Sequence, residues 1–205
     1  MCAEKLDTEI RQEQIAQAAL DLMLIQGVSG VSVAGVAQKV GLVPSAIYRH
    51  FRNKDELLEA VLDLIQNKMI GHVIAVCEET QDPLERLESL LKRHLRVIHK
   101  RQALPRMIFS DDFSVHHPER KTRVYEVITK YLDSVAEIVL KGQQSGQIRR
   151  DINPGTVSIM FLGLIQPAGI LWHLSNGTFD VTRHEEDAWR IFRECIRAKD
   201  HTPVG

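Results

Sequence analysis

Apolar residues recur every three or four positions along most of this chain, and no stretch shows the period of two that marks a half-buried strand. Ile15, Ala18, Ala19, Leu22 and Met23 make the first stripe, between Thr8 and Gln26, and Gly27 closes it. Val33, Val36, Ala37 and Val40 make a short second one, with Ser32 placed to cap its start and Gly41 suited to a tight turn after it. Pro44 fits the first turn of a third helix, where a missing N–H is no loss. Asn53 and Glu56 resemble a capping box for a long fourth helix. Its stripe runs through Leu57, Leu58, Val61, Leu62, Ile65, Met69 and Val73 to about Glu79.

The same periodicity continues after a linker-like break at Gln81–Pro83. Leu84, Leu87, Leu91, Leu95 and Ile98 mark one helix, and Ala103–Phe113 a shorter one. His116, His117 and Pro118 interrupt, and then Val124, Val127, Ile128, Tyr131, Val135, Ile138 and Val139 mark a long helix closing near Ser145 and Gly146. Asn153 with Pro154 starts another, and Thr182 with Glu185 reads as a capping box for the last. The predicted fold is therefore all-α, with about nine helices: an N-terminal three-helix helix-turn-helix domain followed by a C-terminal helical bundle. The division expected is 8–79, containing the motif at 32–51 and the connecting helix, and 80–205.

Composition alone is that of an ordinary globular protein, 44% hydrophobic and 26% charged, with a formal net charge of −1. No polycation is present, so an interaction with nucleic acid must rest on local charge. Such a locality exists: Leu22 to Lys54 contains no Asp or Glu, yet carries Lys39, Arg49, His50, Arg52 and Lys54. That window coincides with the two short helices and the turn at Gly41, the arrangement in which a second helix enters the major groove.

Other chemistries find little support. Cys2, Cys77 and Cys195 lack metal-ligand spacing and read as free thiols of a reducing, cytoplasmic compartment. The polar N-terminus is unlike a signal peptide, and the apolar run Val157–Trp172 is shorter than a membrane span, so no membrane partner is expected. No nucleophile elbow, zincin motif or phosphate loop occurs, and neither enzymatic activity nor a cofactor is expected. Asp111, Asp112, His116 and His117 have metal-binding side chains without regular ligand spacing, and read as a solvated loop. His94 and His99 do not share a helix face.

Residues 11–62 resemble the DNA-binding domain of TetR/AcrR transcriptional regulators. The resemblance runs through Ile15-Ala16, Ala18-Ala19-Leu20, Gly27, Ser32-Val33, Val36-Ala37, Val40-Gly41-Leu42, Tyr48, His50-Phe51, Lys54-Asp55 and Leu57, in order and at the family's spacing. It implies a regulator that grips double-stranded DNA at a palindromic operator. Ser32, Tyr48 and Lys54 are then expected at phosphates, with Tyr48 alternatively packing its ring against the backbone sugar and the start of the fourth helix reinforcing Lys54. His50 either meets a phosphate or makes a structural hydrogen bond. Val43 belongs to the same DNA-binding segment, and Pro44, Ser45, Ala46 and Arg49 face the bases, where Arg49 suits guanine and Pro44 and Ala46 suit thymine methyls. Ile47 and Phe51 are expected in the core. Val43 and Ala46 depart from the polar residues usual in the family, leaving the third helix without a side-chain cap and poor in hydrogen-bonding groups. Specificity then leans on Arg49, apolar contacts and DNA shape.

For the C-terminal part the resemblance rests on architecture, and implies a homodimer and a small hydrophobic or aromatic effector. The segment Pro154–Ser175 is apolar nearly all round, as a helix covered on several sides would be. Trp189, Phe192 and Ile196 are expected at the dimer seam. Met107, Phe109, Phe113, Tyr125, Tyr131, Met160, Phe161, Gln166, Trp172 and His173 are candidate pocket residues. Common family behaviour implies repression. The alternative is an architectural or division-linked DNA-binding protein of the same fold with no inducer.

Overall fold

The computed structural model describes residues 2–100 and 117–199. Eight helices occupy them: α1 (Cys2–Gln26), α2 (Val33–Lys39), α3 (Pro44–Ile47), α4 (Lys54–Glu79), α5 (Pro83–Lys100), α6 (Pro118–Gln144), α7 (Pro154–Leu174) and α8 (Val181–Ile196). Among the described residues the sole extended pairing is an isolated antiparallel bridge between Ile148 and Arg197. The helix expected over Ala103–Phe113 lies outside the described residues. The described chain forms two compact units, one of residues 2–68 with 117–127, the other of 69–100 with 128–199.

Local chemistry sets the helix ends in the first unit. Gly27 ends α1 at φ +78°. Ser32 caps α2 by accepting from the Gly35 N–H at 3.1 Å. The α2 terminus closes as a Schellman motif: Leu42 N–H donates to Ala37 O at 2.8 Å and Gly41 N–H to Gln38 O at 3.2 Å, with Gly41 at φ +70°. Asn53 accepts from the Glu56 N–H at 2.8 Å. The Glu56 carboxylate returns to the Arg52 N–H at 2.6 Å, one residue before the usual partner. Ile15, Ala19, Leu20, Met23, Val36, Ala37, Ile47, Phe51, Leu57, Val61 and Leu62 are buried, so the α1 stripe, both motif helices and the start of α4 bury their apolar faces.

An ionic ladder joins α4 to the start of α6 in this unit. Arg120 Nη2 lies 3.0 Å from Asp55 Oδ1, and Arg123 Nη2 lies 2.6 Å from Asp63 Oδ1. Glu59 falls between those two acids on the same α4 face. Burial raises its carboxyl above the ordinary value, opposed by Arg123 and Arg120.

The second unit has its own core of Val73, Val76, Leu87, Leu90, Leu91, Leu95, Tyr131, Val135, Ile138, Val139, Val157, Phe161, Ile165, Ala168, Trp189, Phe192 and Ile196. Asp82 caps α5 through the Leu84 and Glu85 N–H groups. The buried Arg86 spreads its guanidinium over Thr80 O, Cys77 O and Gln81 Oε1, and so satisfies carbonyls at the end of α4. Asn153 caps α7 through the Thr156 N–H at 2.9 Å. The last helix departs from the sequence reading: Asp180, not Thr182, is the N-cap, accepting from the Arg183 N–H at 2.9 Å. Asp180 precedes the expected cap by two residues, and once it caps, Thr182 falls inside the first turn.

Two helices, Lys54–Glu79 and the 19-residue Pro154–Trp172, are long and apolar enough to cross a membrane by length and composition. The latter exceeds the run taken from sequence because Pro154, Gly155 and Thr156 extend it. Both contribute buried side chains to the cores just described.

Candidate nucleic-acid interface

Two short helices and the turn after them form the candidate reading head. Pro44 opens α3, and Val43 caps it without a side-chain hydrogen bond. The regular helix ends at Ile47, so Tyr48, Arg49 and His50 stand in the turn that follows rather than on a continued helix. Ile47 and Phe51 point inward at 1% and 4% exposure, which anchors this turn to the unit's core. Val43, Pro44, Ser45, Tyr48 and Arg49 are exposed, and Ala46 is half-buried between them. The outward surface thus holds one guanidinium, one phenol, one hydroxyl and several apolar groups. Ser32, exposed at the α2 cap, adds a second hydroxyl.

Two positions are more constrained than sequence implied. The half-buried Lys54 donates from Nζ to the Val28 carbonyl at 3.3 Å, which ties its side chain to the loop before α2. An ammonium carries three donors, so capacity for an anion remains. His50 is also half-buried. Its carbonyl accepts from Gln12 Nε2 at 3.2 Å, and its Nδ1 is buried without a partner among the described residues.

Of the expected effector residues, Tyr131 and Phe161 share the core of the second unit with Trp172 packed against it, and the other described candidates are not part of that core. Met107, Phe109 and Phe113 lie outside the described residues, as do Asp111, Asp112, His116 and the His173 side chain. Tyr131 and Phe161 are fully buried, and Gln166 and Trp172 are half-buried. Tyr125 is 71% exposed and Met160 51% exposed, so neither lines an enclosed pocket in this chain. The seam residues also need correction. Trp189, Phe192 and Ile196 are buried in the protomer's own core, with the Phe192 ring 5.7 Å from that of Phe161. Their apolar surface is used internally and is not available to a second copy. The outward apolar residues of this region are instead Ile159, Met160, Ile170, Leu171 and Leu174 of α7, with Ile191 of α8.

Sequence reasoning named Tyr131 as a pocket candidate but did not join it to His94 and His72, with which it forms a polar cluster inside the second unit. His94 of α5 is buried, with Nδ1 2.8 Å from Leu90 O. Its ring meets His72 of α4 edge-on and Tyr131 of α6 at a tilt, both with centroids 5.3 Å apart. Burial drives the imidazole down to a pKa of about 4 and raises that of the Tyr131 phenol, so both groups are neutral near pH 7. His94 Nε2 and Tyr131 Oη have no hydrogen-bond partner among the described residues. A periodicity test applied to one helix at a time could not find this cluster, because three helices build it. Elsewhere in the unit, an open groove of about 300 Å³ is lined by residues of α4 and α6, among them Ile70, Ile74, Cys77 and Ile138.

Comparison with known proteins bears on both halves. Residues 15–61 match the family described as bacterial regulatory proteins, tetR family, and residues 80–196 match a tetracyclin repressor-like C-terminal domain. The nucleoid occlusion factor SlmA of Aliivibrio fischeri is 25% identical over 188 residues, spanning 91% of this chain and 96% of that protein. Among solved structures, the fatty acid degradation regulator FadR of Bacillus halodurans superposes with a TM-score of 0.76 at 20% identity, covering 92% of this chain and 97% of the other. FadR of Bacillus subtilis, solved in complex with stearoyl-CoA, gives 0.74 at 19% identity, covering 87% and 96%.

Proposed function

This chain belongs to the TetR family of bacterial DNA-binding transcriptional regulators, and from that premise we propose that it is a cytoplasmic homodimeric repressor, released from a palindromic operator by an apolar small molecule. In this reading residues 8–79 bind DNA, and residues 80–205 pair the subunits and take the effector. The observation that carries it is the exposed surface made by Val43, Pro44, Ser45, Tyr48 and Arg49 over an anchoring core of Ile47 and Phe51. Arg49 supplies base discrimination, and Val43, Pro44 and Ala46 meet thymine methyls. Ser32, Tyr48, His50 and Lys54 hold the phosphates.

Dimerisation rests on α7. Ile159, Met160, Ile170, Leu171 and Leu174 are exposed at helical spacing along it, an apolar stripe that a second copy related by a two-fold axis would cover. Two reading heads so paired would meet half-sites about one helical turn apart. Release by an apolar effector is supported by the stearoyl-CoA complex of the similarly folded FadR. The effector must bind the DNA-free state more tightly than the DNA-bound one.

The test is selection of sites from random DNA by the purified protein, followed by competition with apolar compounds. An enriched palindrome released by such a compound supports the reading. A palindrome that no compound releases would favour the second reading, an architectural or division-linked DNA binder without an inducer, which the similarity to the nucleoid occlusion factor SlmA supports.

A further inference from the structure

Among the described residues of the second unit, His94 Nε2 and Tyr131 Oη are buried polar atoms without hydrogen-bond partners whose rings adjoin one another, and their chemistry specifies what should meet them. A carbonyl can only accept, so the 2.8 Å contact to Leu90 O places the His94 proton on Nδ1. The neutral ring then presents a lone pair at Nε2. The Tyr131 hydroxyl, fully buried, can donate one hydrogen bond and accept another. Neither Nε2 nor Oη has a partner among the described residues. Leaving such groups dry is costly, so buried polar atoms are nearly always paired. Apolar side chains dominate the surrounding core: Val73, Leu87, Leu91, Leu95 and Val135.

We infer that His94 and Tyr131 form the polar anchor of the effector site, and that the effector is an apolar molecule carrying a neutral hydroxyl group. The hydroxyl donates to His94 Nε2 and accepts from Tyr131 Oη. A carboxylate has no proton to give Nε2 and would bring charge into a place where burial already keeps imidazole and phenol neutral. An ether or ketone oxygen satisfies Tyr131 alone. His72, edge-on to His94, completes a wall contributed by α4. This inference rests on the effector reading above and names the chemistry of that site.

The test uses the full chain and three probes built on a ten-carbon chain, 1-decanol, decyl methyl ether and decanoate, followed through the fluorescence of Trp172 and Trp189. Decanol should bind about tenfold more tightly than the other two, and Tyr131→Phe or His94→Leu should narrow the gap to about twofold. Equal binding of all three probes overturns the anchor while leaving an apolar effector in place. Failure of all three to bind overturns both. A second measurement needs no probe. In the free protein Tyr131→Phe should melt at or above the parent temperature, because it removes an unpaired buried hydroxyl. A fall of several degrees would mean the hydroxyl is already satisfied, and would overturn the anchor.

Discussion

The Arg120 guanidinium meets the Asp55 carboxylate at 3.0 Å with its own side chain 6% exposed and that of Asp55 71% exposed. The two ends of this ion pair are therefore unequal. Arg120→Ala removes a buried stem and its charge, and should lower stability by about 2 kcal/mol. Asp55→Asn, at the wet end, should cost about 1 kcal/mol or less. Urea denaturation of both variants checks the order.

Arg49 and Lys54 should fail in different ways. Arg49→Ala should relax sequence preference at one operator position by about 1–3 kcal/mol. Lys54→Ala should weaken all sites alike and reduce the slope of log affinity against log salt by about one. Titrations of operator and scrambled DNA across a salt series separate the two behaviours.

Gly41 sits at φ +70° with nothing within 4 Å of where a Cβ would stand. Strain there is purely conformational, so Gly41→Ala should cost about 1–2 kcal/mol without any clash. Thermal melts should show that loss. A neutral result would mean that the turn relaxes out of the left-handed region.

The α8 cap separates sequence reasoning from structure. Asp180→Ala should cost about 1 kcal/mol, the usual loss on removing an N-cap. Thr182→Ala should change stability by less than about 0.5 kcal/mol, as for a surface residue without a special role. The reverse order in denaturation would restore Thr182 as the cap.

His94 makes stability depend on pH. Its pKa falls from 6.5 to about 4 in the fold, with burial the main cause, opposed by its hydrogen bond to Leu90. The unfolded chain therefore binds the extra proton first as pH falls. The contribution is intact above about pH 6.5 and is lost progressively towards pH 4. Melting temperatures across that window should decline, and His94→Gln should flatten part of the decline.

Local signals were legible in the sequence. The Ser32, Asn53 and Asn153 caps, the Gly41 turn, the unfilled cap at Val43 and the inward Ile47 and Phe51 each depend on a few neighbouring residues. Features set by distant packing were not. An apolar stripe shows that a helix face is covered, not by what: Trp189, Phe192 and Ile196 fit a partner's seam by pattern, and their own protomer covers them. Tyr125 and Tyr131 are six residues apart on α6, about 240° around its axis, and only the second is buried. The His94 cluster needed three helices to appear at once.

The hydrogen bond from Lys54 Nζ to Val28 O has a consequence in entropy rather than charge. A free lysine forfeits about 2 kcal/mol of rotamer freedom when an anion pins it. Here folding has already confined the side chain, so an anion arriving at that ammonium meets a group with little left to lose. Cutting this tether would leave the charge in place and still weaken the grip.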